Sequence, residues 1–198
     1  MGMFFSNIHC RKNNSADFQA VRDAMIKMMA DAGYRLADTE CDDCTMYICT
    51  SNCGWVSVYS DAFSFNDPNE TKEIIEPLSE TLHTDVMAVS CFDSDYLFMH
   101  LINTADQTDA WANVGINPFG PMPRRSDLAR WKNKVSDFEA FKAAVCDEYV
   151  FAEDVFYSID SLIDLPAAHA CLCDDLFFDS DEEGFVLEQL HFQSTDAD

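Results

Sequence analysis

Residues 45–60 read TMYICTSNCGWVSVYS, and this stretch predicts a β-hairpin. Thr45–Thr50 and Trp55–Ser60 are rich in apolar and β-branched residues, which favour strands. The four residues between them, Ser51-Asn52-Cys53-Gly54, are typical of a turn. Because successive side chains of a strand point to opposite faces, Val56 and Val58 share one face and their neighbours share the other.

Strands and helices alternate on both sides of this hairpin. The predicted elements of the first hundred residues are, in chain order, strand Met3–His9, a helix capped by Asn14-Ser15 and ended by Gly33, the two hairpin strands, a helix that begins at Asp67-Pro68, and strands Asp85–Cys91 and Tyr96–Ile102. Pro77 lies in the middle of the second helix and is expected to kink or split it. Tyr96–Ile102 is apolar at nearly every position, which predicts a strand covered on both faces.

The order β-α-β-β-α-β-β predicts an α+β fold with a ferredoxin-like core, in which the first strand lies between the third and the fourth. We expect residues 1–122 to form this core, and we expect Asn103–Pro123 to be a loop because it holds three Pro and two Gly. Residues 123–198 are expected to form a helical and hairpin extension packed on the core, within one structural domain. The helices of the extension begin at Ser136-Asp137 and span Phe151–Ile163, and its hairpin pairs Leu176–Phe178 with Phe185–Leu190.

The charge is strongly negative and unevenly spread. The chain of 198 residues has 36 acidic and 12 basic residues, a formal net charge of −24. No Lys or Arg follows Lys142, whereas 15 Asp and Glu lie between Asp147 and Asp198. Such a field repels nucleic acid and anionic membranes and attracts a basic protein surface. No apolar run reaches the ~18–20 residues of a transmembrane helix.

These observations predict a non-enzymatic interaction protein that binds a basic protein partner, with an immunity or antitoxin-like inhibitor as one concrete case. No nucleic acid, membrane or cofactor is expected to take part. The nine cysteines, an odd number set mostly in apolar patterns, indicate a reducing compartment, and we expect a cytoplasmic location. The residues expected to contribute to the interaction are Trp55, Tyr59, Asp109, Trp111, Asp179, Asp181, Glu182 and Glu183.

The alternative is an enzyme or small-ligand-binding domain that depends on a divalent cation. In a ferredoxin-like sheet the third and fourth strands run the same way, which places Asp61 and Asp93 at one end, with Asp95 nearby. Three carboxylates at one rim are the hard oxygen ligands that Mg²⁺ and Ca²⁺ prefer. Asp93-Ser94-Asp95 is also a typical hairpin turn, and the sequence favours that simpler interpretation.

Other clusters carry weaker signals. Cys41, Cys44, Cys49 and Cys53 supply four thiols, but their spacing suits zinc poorly, and structural cysteines are favoured. Residues 179–184 open like an EF-hand loop, yet Leu190 stands where a bidentate Glu is required, which favours an acidic turn. The five histidines are scattered, and no nucleophile elbow, phosphate-binding loop or dinucleotide motif is present.

One set of motifs resembles a loosely defined group of uncharacterised bacterial proteins. That group carries a W-x-x-V-Y-[DS]-[DE] strand, a D-S-D hairpin and a later D-x-[YW]. The matching positions here are Trp55–Asp61, Asp93-Ser94-Asp95 and Asp109-Ala110-Trp111, although Ser60 stands where Asp is more usual. The resemblance covers little over a quarter of the chain. It implies a bacterial cytosolic domain and supplies no activity or catalytic residue.

Overall fold

The computed structural model describes residues 2–39, 43–60, 62–63, 65, 68–104, 108–116, 128–171 and 184–195. The strands, in chain order, are β1 (Phe5–Arg11), β2 (Tyr34–Leu36), β3 (Cys44–Thr50), β4 (Trp55–Ser60), β5 (Val86–Phe92), β6 (Tyr96–Asn103), β7 (Thr108–Gly115) and β8 (Val186–Ser194). The α-helices are α1 (Phe18–Asp31), α2 (Pro68–Leu82), α3 (Phe138–Val145), α4 (Val155–Ile163) and α5 (Ala167–Ala170). Two 3₁₀ helices cover Leu128–Trp131 and Ala152–Asp154.

The strands form one eight-stranded sheet in the order β2-β8-β3-β4-β1-β5-β6-β7. Every neighbouring pair is antiparallel. The predicted α+β class is therefore confirmed. β1 pairs with β4 on one side and with β5 on the other, as the sequence predicts for the first strand.

The ferredoxin-like topology is not supported, because the strand order of this sheet differs from that of a four-stranded ferredoxin-like unit. β6 and β7 extend the sheet beyond β5, and β8 and β2 extend it beyond β3. The four added strands cover edges that a four-stranded sheet would leave open to further pairing.

The predicted loop over Asn103–Pro123 is wrong for the residues that form β7. All eight residues of Thr108–Gly115 are in register with β6. Ala110, Ala112 and Val114 alternate along the strand and are buried on one face of the sheet. Alanine and asparagine have little intrinsic preference for strands, so packing against β6 determines this element.

β8 is longer than the predicted strand Phe185–Leu190, and it pairs with β3 and β2. Its predicted partner Leu176–Phe178 lies outside the described residues, so the hairpin stays a prediction. The pairing brings the end of the chain into the same sheet as its beginning.

Helices cover both faces of the sheet and divide the core in two. One face packs against α1 and α2, with Ile8, Ile48 and Val58 of the sheet fully buried. The other face packs against α3, α4 and Trp131, with Leu97, Met99 and Leu101 of β6 among its buried residues. β6 is buried at all eight positions, so the prediction of a strand covered on both faces is confirmed.

Local sequence sets the helix ends. Asp17 caps α1 by accepting a hydrogen bond from the Ala20 amide (2.9 Å), so the cap is not the predicted Asn14-Ser15. Asp137 caps α3 in the same way through the Ala140 amide (3.0 Å). A carboxylate at this position satisfies one of the free amides of the first turn.

α2 runs unbroken through Pro77, so the predicted split does not occur. Pro77 is on the exposed side of the helix, where solvent can bond the carbonyl that proline leaves without a donor. In the described part of the chain, no helix has both the length and the apolar character needed to cross a membrane.

Candidate functional site

The Asp93-Ser94-Asp95 segment is the turn between β5 and β6. Asp93 and Ser94 both have left-handed backbone conformations, with φ of 51° and 57°. The Asp95 amide donates to the Phe92 carbonyl (3.0 Å), which closes the turn. Asp and Ser tolerate left-handed conformations better than most residues, which explains this composition at the turn.

Ser94 ties this turn to two other segments. Its amide donates to the Met3 carbonyl (3.2 Å), and its hydroxyl accepts from the Met3 amide (2.8 Å). Its carbonyl accepts from the Ala152 amide (2.7 Å), and its hydroxyl donates to the buried Glu153 carboxylate (2.6 Å). A third segment joins at the next residue, where the Asp95 carbonyl accepts from the Ile116 amide (3.1 Å).

Large apolar side chains are exposed along the segments that meet at this turn. Phe4 is 63% exposed, Phe151 52%, and Ile116 and Val150 are each 85% exposed. Asp93 and Asp95 of the turn are exposed as well. We call the six residues Phe4, Asp93, Asp95, Ile116, Val150 and Phe151 the Asp93 rim.

The predicted cation site is only partly within the described structure. Asp61 lies outside it, whereas Asp93 accepts from the Gly2 amide (3.0 Å) through its carboxylate. The last residues of β4 and β5 lie at the same end of the sheet, because both strands are antiparallel to β1. Among the described residues, no group of three His, Cys, Asp or Glu side chains is arranged to hold a metal ion. A site formed by Asp61, Asp93 and Asp95 stays a prediction.

Structural contacts hold the predicted aromatic residues in the core. The Trp55 indole donates to the Ile163 carbonyl (2.9 Å), and the Tyr59 hydroxyl donates to the His169 carbonyl (2.7 Å). Trp111 is on the other face of the sheet, where its ring stacks on His100 at 3.5 Å between centroids.

Of the predicted acidic residues, Asp109 is the one that the structure describes. Asp109 is 8% exposed and accepts from the Arg130 guanidinium (2.8 Å). Asp179, Asp181, Glu182 and Glu183 lie outside the described residues. The contribution of these and of the aromatic residues to an interaction stays a prediction.

The structure shows a further polar region that the sequence analysis did not identify. Side chains on β1, β3 and β4 that face α5 are polar and buried, although the same strands are apolar on their other face. Strand register sets them side by side, because Ser57 is paired with both Cys49 and His9, and Tyr59 with Asn7. We call Asn7, His9, Cys49, Ser57, Tyr59 and His169 of α5 the polar row.

Hydrogen bonds join members of the polar row to one another and to α5. His9 Nδ1 is 2.8 Å from the Ser57 hydroxyl, and the Asn7 amide donates to the Ala170 carbonyl (3.0 Å). The Cys49 sulfur lies 3.5 Å from the Tyr59 hydroxyl and 3.8 Å from His169 Nδ1. His9 Nε2 is buried and has no hydrogen-bond partner in the described structure.

Burial and neighbouring charge set the protonation of the two histidines. Burial, and then the charge of His169, lower the pKa of His9 to about 3, so this imidazole is neutral at physiological pH. Burial also lowers the pKa of His169, but its interactions with the thiols of Cys49 and Cys53 outweigh burial and raise it above the ordinary value. The row therefore holds one neutral and one readily protonated imidazole.

Cys53, in the turn between β3 and β4, joins the row to a cavity. Its thiol donates to the Trp55 carbonyl (3.4 Å). Burial raises the pKa of this thiol, but hydrogen bonds with His169 and Ser51 outweigh it and lower the pKa to about 7. The cavity, about 440 Å³, opens between this turn and the end of α4. It is lined by Ser51, Asn52, Cys53, Asp160, Ser161, Asp164, Leu165 and Pro166.

The sequence held one signal of the polar row. In β1 and β4, the polar row residues Asn7, His9, Ser57 and Tyr59 alternate with apolar residues, a pattern that normally indicates a face open to water. Those positions are buried here because α5 covers them. His169 is 120 residues from Cys49 along the chain, and no local motif relates the two.

No protein-family model matches this chain, and no curated protein and no solved structure matches it either.

Proposed function

We propose that this protein is a non-enzymatic interaction protein that presents an acidic surface to a basic protein partner. An immunity or antitoxin-like inhibitor is the concrete case that we propose. A bacterial, cytoplasmic setting is part of the proposal, and the seven described cysteines, all free thiols, accord with a reducing compartment.

The Asp93 rim carries the proposal. Its four exposed apolar side chains belong to segments that are hydrogen-bonded to one turn, and clustered exposed apolar residues usually mark a contact surface. The chain segments that form the rim, residues 2–4, 93–95, 115–116 and 150–153, contain no Lys or Arg. Apolar side chains on segments that meet a carboxylate-bearing turn match a partner with an apolar contact flanked by basic residues.

The net charge of −24 supports the same partner chemistry. Complementary charge accelerates encounter and selects partners, and its effect weakens as salt screens it. Apolar contacts are much less sensitive to salt. The contribution of Asp93 and Asp95 to the binding free energy should therefore depend on salt, whereas the contribution of Val150 and Phe151 should not.

The test begins with capture from lysate at low salt, identification of a basic protein by mass spectrometry, and titration of that purified protein. The charge variant is Asp93→Asn/Asp95→Asn, and its matched control, Glu73→Gln/Glu80→Gln, removes two exposed charges from α2. We expect the rim variant to weaken binding by about tenfold at low salt, a loss of about 1.4 kcal/mol. The control should stay within about twofold.

Phe151→Ser should weaken binding at both low and high salt, since it removes apolar contact. Failure to capture any basic protein would overturn the proposal. Binding that the α2 control weakens as much as the rim variants would overturn it too.

A further inference from the structure

The thiol of Cys53 belongs to a cavity wall and interacts with an imidazole. Cys53 is 9% exposed, whereas Cys49 of the polar row is fully buried and does not line the cavity. His169 interacts with both thiols, and its Nδ1 lies 3.8 Å from the Cys49 sulfur. A reagent that enters the cavity therefore meets Cys53 first.

The neighbourhood of Cys53 favours the form of sulfur that reacts. A thiolate is the nucleophile in cysteine chemistry, and an adjacent imidazolium stabilises it. The lowered pKa of Cys53 supports this assignment, which the positions of His169 and the cavity already indicate.

The cavity also selects by charge. Asp160 and Asp164 contribute carboxylates to its wall, and Ser51, Asn52 and Ser161 contribute neutral polar groups. Lys12 is nearby, but its ammonium donates to the Ser51 carbonyl (2.7 Å). An entering molecule that carries an amine is favoured over one that carries carboxylates.

We propose that Cys53 is a reactive thiol that exchanges with small, amine-bearing disulfides entering this cavity. The Cys53 thiolate attacks one sulfur of the disulfide, a new Cys53–sulfur bond forms and the original S–S bond breaks. The released thiolate takes a proton from water. Cys53 is oxidised to a mixed disulfide, and the other half of the reagent is reduced to a thiol.

The experiment uses the full-length reduced protein with cystamine, a cationic disulfide, at pH 6 to 9. Peptide mapping of acid-quenched samples gives the rate at Cys53 and at Cys146, an exposed free thiol that serves as the internal reference. We expect Cys53 to react about fivefold faster than Cys146 at pH 7, because the neighbouring imidazole favours the Cys53 thiolate. In the described part of the chain, the charged and titratable groups around Cys53 include Lys12, Cys49, Tyr59, Asp160, Asp164 and His169.

Two further comparisons test the role of His169 and the role of the cavity carboxylates. His169→Gln should slow Cys53 at pH 7 by about fivefold or more and leave Cys146 unchanged. With an anionic aromatic disulfide, Cys53 should no longer react faster than Cys146. The Asp160→Asn/Asp164→Asn variant should restore part of the difference in rate for that reagent.

Equal or slower reaction of Cys53 than of Cys146 at pH 7 would overturn the proposal. So would a Cys53 rate that is the same in a folded His169→Gln variant. If that variant fails to fold, the wild-type ratio and its pH profile decide. A Cys53 rate with the same pH profile as the Cys146 rate would contradict the imidazole's role.

Discussion

The polar row and the Asp93 rim both gather polar groups, one inside the molecule and the other at its surface. In the row, His9 and Ser57 are fully buried and bonded to each other. In the rim, Asp93 and Asp95 are exposed, and it is the backbone and hydroxyl of Ser94 that fix the turn. We therefore expect the polar row to make the stability of the protein depend on pH, and the Asp93 rim to make partner binding depend on salt.

His9→Asn should produce the largest effect, seen as a change in pH dependence. Folded His9 stays neutral down to about pH 3, whereas the unfolded chain binds a proton below its ordinary pKa of 6.5. The unfolded state therefore binds more protons between these values, and the free energy of unfolding falls as the pH falls. We expect the wild type to lose about 2–3 kcal/mol more than the variant between pH 7 and pH 4.5.

Urea unfolding of both proteins across this pH range measures that difference. Asparagine can keep a hydrogen bond to Ser57 while removing the titrating ring. Parallel pH profiles for the wild type and the variant would show that His9 is not held neutral by its surroundings.

Ser94→Ala tests the rim at its anchoring residue. The change removes the hydroxyl that donates to the buried Glu153 carboxylate and accepts from the Met3 amide. We expect a loss of about 2 kcal/mol in the free energy of unfolding, since hydrogen bonds to charged groups exceed neutral ones. Ser158→Ala, at an exposed position of α4, is the matched control and should change little. A loss as small as that of the control would mean that the turn is held by its backbone contacts alone.

Tyr59→Phe tests the row by removing one hydroxyl. The lost hydrogen bond to the His169 carbonyl should cost about 1 kcal/mol. Tyr157→Phe is the control, because Tyr157 is 73% exposed and its hydroxyl can bond water. Chemical denaturation that finds equal stabilities for the two variants would contradict the buried contact.

Asp93→Asn/Asp95→Asn should have the smallest effect on stability, less than about 0.5 kcal/mol, since both side chains are exposed. Asparagine also tolerates the left-handed conformation of Asp93. The free energy of unfolding from urea denaturation checks this value. A loss above about 1 kcal/mol would show that these carboxylates are structural and not available to a partner.

Much of the fold follows from local sequence. Apolar patterns and turn residues predict β1, β3, β4, β5 and β6, and helical spacing predicts α1 and α2. β7 is not predicted because Ala110 and Ala112 have no strand preference of their own. β2 is not predicted because its three residues are too few to show a pattern. Both depend on neighbours supplied by the rest of the chain.

The two polar regions differ in how far the sequence predicts them. The turn at Asp93-Ser94-Asp95 is a local motif, and the sequence identifies it. The hydrogen bonds that this turn accepts from Ala152 and Ile116 depend on the packing of the rest of the chain, which no sequence spacing indicates. His169 and Cys49 come together only because α5 covers β3 and β4, so the polar row could be identified from the structure and not from the sequence.

A thermal melt is the most direct test of whether the rim carboxylates act through charge, as we propose, or ligate a cation. The protein is heated in MgCl₂ or CaCl₂ and in NaCl of equal ionic strength. We predict equal gains in Tm, because the ions only screen the repulsion among acidic groups. A gain with about 1 mM Mg²⁺ or Ca²⁺ that exceeds NaCl by several degrees, and is lost in Asp93→Asn/Asp95→Asn, would contradict the claim and establish a cation site.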